Sequence, residues 1–247
     1  MSKYIGLSVA KRVTYWLVLA NAIFFIPSFS MKVGNTTNAS VNGQHYSIVN
    51  DHSDTPVRTC ETMGPIADYG APGPFPDVEI VRSTGPWRNY TLFRPAMESL
   101  GKEGFKHPIA TWGNGIFTTP NEYKALLTHI ASYGFVVIAC NDIQAERPCL
   151  SAGLDWLNEQ NESGPMAGKL DTTREVSIGY SWGGGAAIDV ANRPNMKATV
   201  SLHGMPPRED TAFEAMHSPL LLFTSTGDSF VSKEKYVTPN YERSKVQ

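Results

Sequence analysis

Cysteine is scarce. Cys60, Cys140 and Cys149 are the only three, so one disulfide at most can form, and one thiol stays free, pairs with another chain or has lost its partner. Long runs of Lys or Arg are absent and the formal net charge is −2, which gives nucleic acid or an anionic membrane surface nothing to grip. No HExxH, no Cys/His zinc spacing and no dinucleotide fingerprint occurs, so neither metal nor cofactor is implied. Internal repeats and low-complexity tracts are also missing. What remains is ordinary globular material, 41% hydrophobic and 18% charged over 247 residues, enough for one large domain or two small ones.

The N-terminus has the order of a targeting segment. Lys3, Lys11 and Arg12 precede an apolar stretch from Val13 to Ile26, Pro27 ends it, and Ser28 and Ser30 put small residues at the −3 and −1 positions of a cleavage site. The stretch falls short of the ~20 residues a bilayer-spanning helix needs. Residues 1–30 are therefore expected to be a secretory signal peptide, with an uncleaved signal anchor as the alternative, since Tyr15 and Trp16 are bulky. Four N-x-S/T sequons, at Asn35, Asn38, Asn89 and Asn161, agree with export and glycosylation. Residues 31–77 are rich in Asn, Ser, Thr, Gly and Pro and read as an extended, partly ordered lead-in.

From residue 78 regular elements follow. Val78 to Val81, Tyr90 to Phe93 and Pro108 to Trp112 have strand character, and Asn121 to Tyr133 carries apolar residues at helical spacing, ended by Gly134. Phe135 to Ala139 is a continuous apolar run, as expected of a strand buried on both faces. Cys140 closes it, where a buried structural cysteine is the commoner reading. Helices are expected over Cys149 to Glu159 and Ala186 to Ala191, and strands over Val176 to Ile178, Ala198 to Leu202 and Leu220 to Phe223. Alternating strands and helices predict an α/β domain over 78–247, a mostly parallel sheet covered on both faces. In such sheets reactive groups collect at the carboxyl ends of the strands.

One motif stands at such an end. Gly179-Tyr-Ser-Trp-Gly183 lies between a strand and a helix. G-x-S-x-G suits a nucleophile on a tight strand-to-helix turn, where the flanking glycines avoid collisions and the helix amides face a developing oxyanion. Gly184 and Gly185 read as close packing of that helix on the sheet.

On these residues the chain resembles the α/β-hydrolase superfamily. The further segments His107-Pro-Ile-Ala-Thr-Trp-Gly-Asn-Gly115, Tyr133-Gly-Phe-Val-Val137 and Thr226-Gly-Asp-Ser229 make it similar to the lid-less branch of cutinases, polyester (PET) hydrolases and dienelactone-hydrolase-like esterases. Dienelactone hydrolases proper carry a Cys nucleophile, and Ser181 departs from them. The resemblance implies a serine carboxylic ester hydrolase working through an acyl-enzyme on Ser181. One oxyanion donor is the N–H of Trp182; the other comes from Asn114, Gly115 or Ile116, in a loop that would also serve as a plain βα turn. Asp228 is the expected acid and Asp210 the reserve.

The family's His follows a further helix and strand, which take about 25 residues with their loops; residues 229–247 are fewer and contain no His. The chain is thus expected to stop short of its catalytic His, with the last strand and helix of the sheet missing. Of the six His present, His203 alone stands at a carboxyl strand end. It reads as lining the cleft, or else as a substitute base. Only Gly204 to Ser218 separates two strands where many lipases insert a lid, leaving room for one short helix, so the cleft flanked by Trp182, His203 and Ile116-Phe117 should be open. Small, lipid or polymeric esters are the expected partners, bulky ones suiting it best. The alternative is a catalytically inactive α/β-hydrolase-like binding protein.

Overall fold

The computed structural model describes residues 70–209, 211–225 and 227–244, together with the backbone of strands β1 (Ala39–Val41) and β2 (Gln44–Tyr46), which pair antiparallel. The targeting segment, Cys60, the sequons at Asn35 and Asn38, and the reserve acid Asp210 lie outside the described residues. Apart from Gly70 and Ala71, the described residues belong to one unit.

Seven strands form the main sheet: β3 (Val78–Thr84), β4 (Tyr90–Pro95), β5 (His107–Gly113), β6 (Val136–Cys140), β7 (Leu170–Tyr180), β8 (Met196–Leu202) and β9 (Leu220–Phe223), in the order β3-β4-β6-β5-β7-β8-β9. β3, β4 and β6 pair antiparallel; β6, β5, β7, β8 and β9 are parallel. Helix α1 (Lys124–Ser132) covers one face and α2 (Arg147–Ser163) with α3 (Trp182–Asp189) the other; a short helix, α4 (Thr238–Arg243), follows β9. β6 shows why both faces need cover. Its five residues are all fully buried, with Ile138 and Cys140 facing Leu150, Leu154 and Ala187, and Val137 and Ala139 facing Trp112, Leu127 and Ala131. Period-2 alternation sends successive side chains to opposite cores. Among the described residues no helix is long and apolar enough to cross a membrane.

Several elements are longer than the sequence expectations, β3, β4, α2 and β8 by two to four residues at an end, and three depart for an identifiable reason. α1 begins at Lys124, not Asn121, because the N–H and hydroxyl of Thr119 both bond Glu122 Oε2 and hold the preceding residues in a turn. β7 begins six residues early, since the polar segment from Asp171 to Arg174 carries no hydrophobic signal yet continues the ladder toward His107 and Pro108. α3 begins at Trp182 rather than Ala186: three glycines have low helix propensity, but here they are fully packed, and tertiary contact overrides propensity. Between β8 and β9 the described residues form turns and no helix. Cys140 and Cys149 are joined in a disulfide spanning the β6–α2 loop.

Candidate active site

Ser181 occupies the single residue between β7 and α3, with φ 52° and ψ −112°, a conformation that disfavours side chains other than glycine's and costs on the order of 1–3 kcal/mol. Backbone contacts hold it there. Its N–H donates to Leu202 O at 2.9 Å, and its carbonyl accepts from Met205 at 2.9 Å and Gly184 at 3.0 Å. The flanking glycines are required sterically. A Cβ on Gly179 would strike the carbonyl of Gly183, and one on Gly183 the carbonyl of Gly113 at the end of β5. The G-x-S-x-G spacing is thus the footprint of a turn with no room on either side.

At the next strand ends the chain sets an imidazole against a carboxylate. His203 Nδ1 lies 2.8 Å from Asp228 Oδ2, each side chain 18% exposed. Asp228 Oδ1 accepts the N–H of Phe230 at 2.9 Å and of Val231 at 2.8 Å, so both carboxylate oxygens are engaged. His203 leaves β8 with φ 48°; its own N–H donates to Phe223 O at 2.7 Å, and its ring sits between those of Tyr180 and Phe223. No hydrogen bond joins Ser181 Oγ to His203 among the described residues. Burial, then Tyr123 and Asp228, push the Tyr180 phenol up to about 12, so it stays neutral at ordinary pH.

Of the loop residues expected to supply the second oxyanion donor, two are partly committed elsewhere. The buried Asn114 side chain accepts from Trp112 Nε1 at 2.9 Å and donates to the carbonyls of Cys140 and Asp142, while its own carbonyl accepts from Gly183. The Gly115 N–H donates to Tyr123 Oη at 3.2 Å. Ile116 follows. Phe117 then turns outward with φ 64°, its N–H fixed to Ile143 O at 2.7 Å. The Trp182 ring is covered by the Arg208 guanidinium at 3.7 Å. Exposed apolar side chains follow three of the strands: Phe117 after β5, Ile143 after β6 and Phe230 in the segment after β9, at 59%, 52% and 62% exposure.

Several of these features escape the sequence reading. Ile143 follows the end of β6 by three residues, a placement available from the strand pattern alone. The Tyr123 contact and the disulfide depend on distant packing. Cys140, Asp142 and Cys149 lie close together, but both thiols are spent in the disulfide, which leaves no thiolate for a metal. A cavity of about 230 Å³, lined by Arg82, Phe93, Pro120 and Lys124 among others, includes none of the expected site residues.

A parallel-centred sheet with helices on both faces and a serine on the strand-to-helix turn defines the α/β-hydrolase fold. Within that class the chain belongs to the PET hydrolase-like family, whose pattern matches residues 114–246, more than half of the sequence. Similar proteins include Lipase 1 of Moraxella sp. (strain TA144), 26% identical over 180 residues, 65% of this chain and 54% of that one. Cutinase est2 of Thermobifida alba is 30% identical over 136 residues, 51% of this chain and 44% of that one. Bis(hydroxyethyl) terephthalate hydrolase of Streptomyces coelicolor is 28% identical over 119 residues, 45% and 37% respectively. The chain thus spans about half the length, or less, of the relatives it matches.

Proposed function

We propose that this chain is the catalytic part of an exported serine carboxylic ester hydrolase. The observation that carries the reading is the strained turn at Ser181, a non-glycine residue at φ 52° locked between glycines that admit no Cβ. Strain of this kind at the end of a central strand is kept where it aims a nucleophile.

In the reaction, Ser181 Oγ attacks the acyl carbon while an imidazole held by Asp228 takes its proton. The tetrahedral oxyanion is received by the N–H of Trp182 and by that of Asn114 or Ile116, the Gly115 amide being donated to Tyr123. The imidazolium gives its proton to the departing alkoxide, leaving an acyl-enzyme. Water, deprotonated by the same imidazole, attacks the acyl carbon, and the proton returns to Ser181 as the acid leaves. Asp228 orients the imidazole and steadies its positive form, its own position fixed by the Phe230 and Val231 amides.

The exposed Phe117 and Ile143, whose loops are joined by a backbone hydrogen bond, support bulky or polymeric esters as substrates, and the names of the relatives, a cutinase and a terephthalate ester hydrolase, point the same way. Export is supported by the charged, apolar and small order of residues 1–30 and by the Cys140–Cys149 disulfide, a bond that persists in oxidising compartments. The test is turnover of a p-nitrophenyl ester by the chain and by Ser181→Ala. The variant should lose nearly all activity with its thermal unfolding preserved; a variant that keeps turnover refutes the proposal. N-terminal sequencing of secreted material should begin near Met31, and an intact Met1 on membrane-bound protein would refute export.

A further inference from the structure

We propose that the cavity of about 230 Å³ beside β3, β4 and the amino end of α1 is a binding site for a small organic carboxylate, one that carries an apolar ring. The site is separate from the turn at Ser181: β4 lies three strand spacings from β7, about 14 Å. The proposal goes beyond the ester-hydrolase reading and does not depend on it.

Charge on the walls chooses the sign of the ligand. Arg82 of β3 and Lys124, the first residue of α1, both line the cavity, and neither has an ion-pair partner among the described residues. No carboxylate is among the described lining residues. The acids nearest in sequence are engaged elsewhere: Glu122 Oε2 accepts the N–H and the hydroxyl of Thr119, and Asp142 Oδ1 accepts from Asn89 Nδ2 at 2.7 Å. α1 has neither a side-chain cap nor an acidic residue in its first turn, so its positive end adds to the same wall. Two like charges on one concavity repel, and an anion between them removes the repulsion.

Donors and shape narrow the ligand further. Thr91 and Asn141 also line the cavity, and the Thr91 hydroxyl donates to Asn141 Oδ1 at 2.9 Å. With Oδ1 taken, Asn141 presents its Nδ2 donors, which have no protein acceptor among the described residues. β3 bulges between Arg82 and Thr84, and the extra residue, Ser83, has φ 52°. Successive residues of a regular strand face opposite sides, yet Arg82 and Ser83 both line the cavity, because the bulge re-aims one of them. Beneath these groups the lining is apolar: Phe93 and Pro120 are buried, whereas Arg82, Ser83 and Lys124 are exposed. A cavity of about 150 Å³ is enough for benzene, so a monocyclic acid fits here, its ring on Phe93 and Pro120 and its carboxylate toward Arg82, Lys124 and Asn141. An inorganic anion would leave the apolar part uncovered.

The test is isothermal titration of the full chain with benzoate, benzamide and inorganic phosphate, repeated on Arg82→Gln, Lys124→Gln and the double variant. Thermal unfolding is recorded for each; both side chains are exposed, so the fold should be kept. The wild type should bind one benzoate per chain with a Kd on the order of 1 mM, and neutral benzamide at least about tenfold more weakly. Each single variant should weaken benzoate by about tenfold and the double variant by more, with benzamide little changed. Phosphate should bind more weakly than benzoate; tighter phosphate binding would make the ligand an inorganic anion and overturn the carboxylate assignment. No benzoate binding, equal affinity for benzamide, or equal affinity in the wild type and the folded double variant would overturn it as well. None of these measurements uses ester turnover, so a failure of the ester-hydrolase reading and a failure of this site are told apart.

Discussion

The centre of the sheet and its β8–β9 side hold their functional residues by different means. At the centre, Ser181 is placed by backbone. The ends of β5 and β7 and a helix converge so tightly that Gly179 and Gly183 cannot carry a Cβ, and Asn114 ties the β5 and β6 loops together from a fully buried position. Toward the β9 edge, Asp228 and His203 are placed by side-chain hydrogen bonds, each partly exposed. Steric placement tolerates almost no substitution, while hydrogen-bonded placement can lose its chemistry and keep its fold. On the proposed reading, Ser181 is the rigidly placed group and Asp228 the one held by side-chain hydrogen bonds.

The contrast can be broken from the central side first. Gly179→Ala should be the most damaging change: its methyl meets the Gly183 carbonyl, and only a shift of α3 relieves it, so a loss of more than about 4 kcal/mol and little soluble protein are expected on chemical denaturation. On the other side, Asp228→Asn should reduce kcat by about 10³–10⁴-fold while stability changes little, because the imidazole is then held in the wrong tautomer. Equal losses of stability for the two variants would erase the distinction.

Smaller effects sharpen it. Removing the disulfide by Cys140→Ala with Cys149→Ala should cost about 2–3 kcal/mol. It should also lower activity, since the loop it closes supplies Ile143 O to the Phe117 N–H and the Asp142 carbonyl to Asn114. A thermal melt and a turnover assay, with and without reductant on the wild type, check both. The smallest effect lies at the start of β5. His107 is fully buried against Gly134 O and the rings of Phe75 and Phe105, and burial lowers its pKa below the ordinary 6.5. The folded state therefore binds fewer protons there than the unfolded chain, so the stabilisation is complete above pH ~6.5 and fades as pH falls from that value through the lower folded one. His107→Gln should flatten the fall in melting temperature between pH 7 and 5 by a few degrees; an unchanged slope refutes the assignment.

What was legible in the sequence follows the same division. The turn at Ser181 is readable because its constraints are local: a strand pattern, two glycines at fixed offsets and a helix. Leu220–Phe223 has the bounds its apolar run gives it, and the buried strand at Val136–Cys140 lies within one residue of its expected limits. The polar extension of β7 and the glycine-rich start of α3 were not readable, because partners distant in sequence hold them in place of their own propensity. The pairing of His203 with Asp228 joins residues 25 apart through a positive-φ exit at His203, and no periodicity encodes a positive φ in a histidine. Cys140 and Cys149 are near in sequence, yet only the turn of the β6–α2 loop decides that they, and not Cys60, pair.

The central claim, a covalent route through Ser181, is tested most directly by reacting the folded chain with a fluorophosphonate and mapping the adduct by peptide mass spectrometry. The account predicts one phosphonyl group per chain, on the peptide containing Ser181, with hydrolysis of a p-nitrophenyl ester lost in proportion and no labelling of Ser181→Ala. An adduct on another residue, or full ester turnover after Ser181 is labelled, would contradict it.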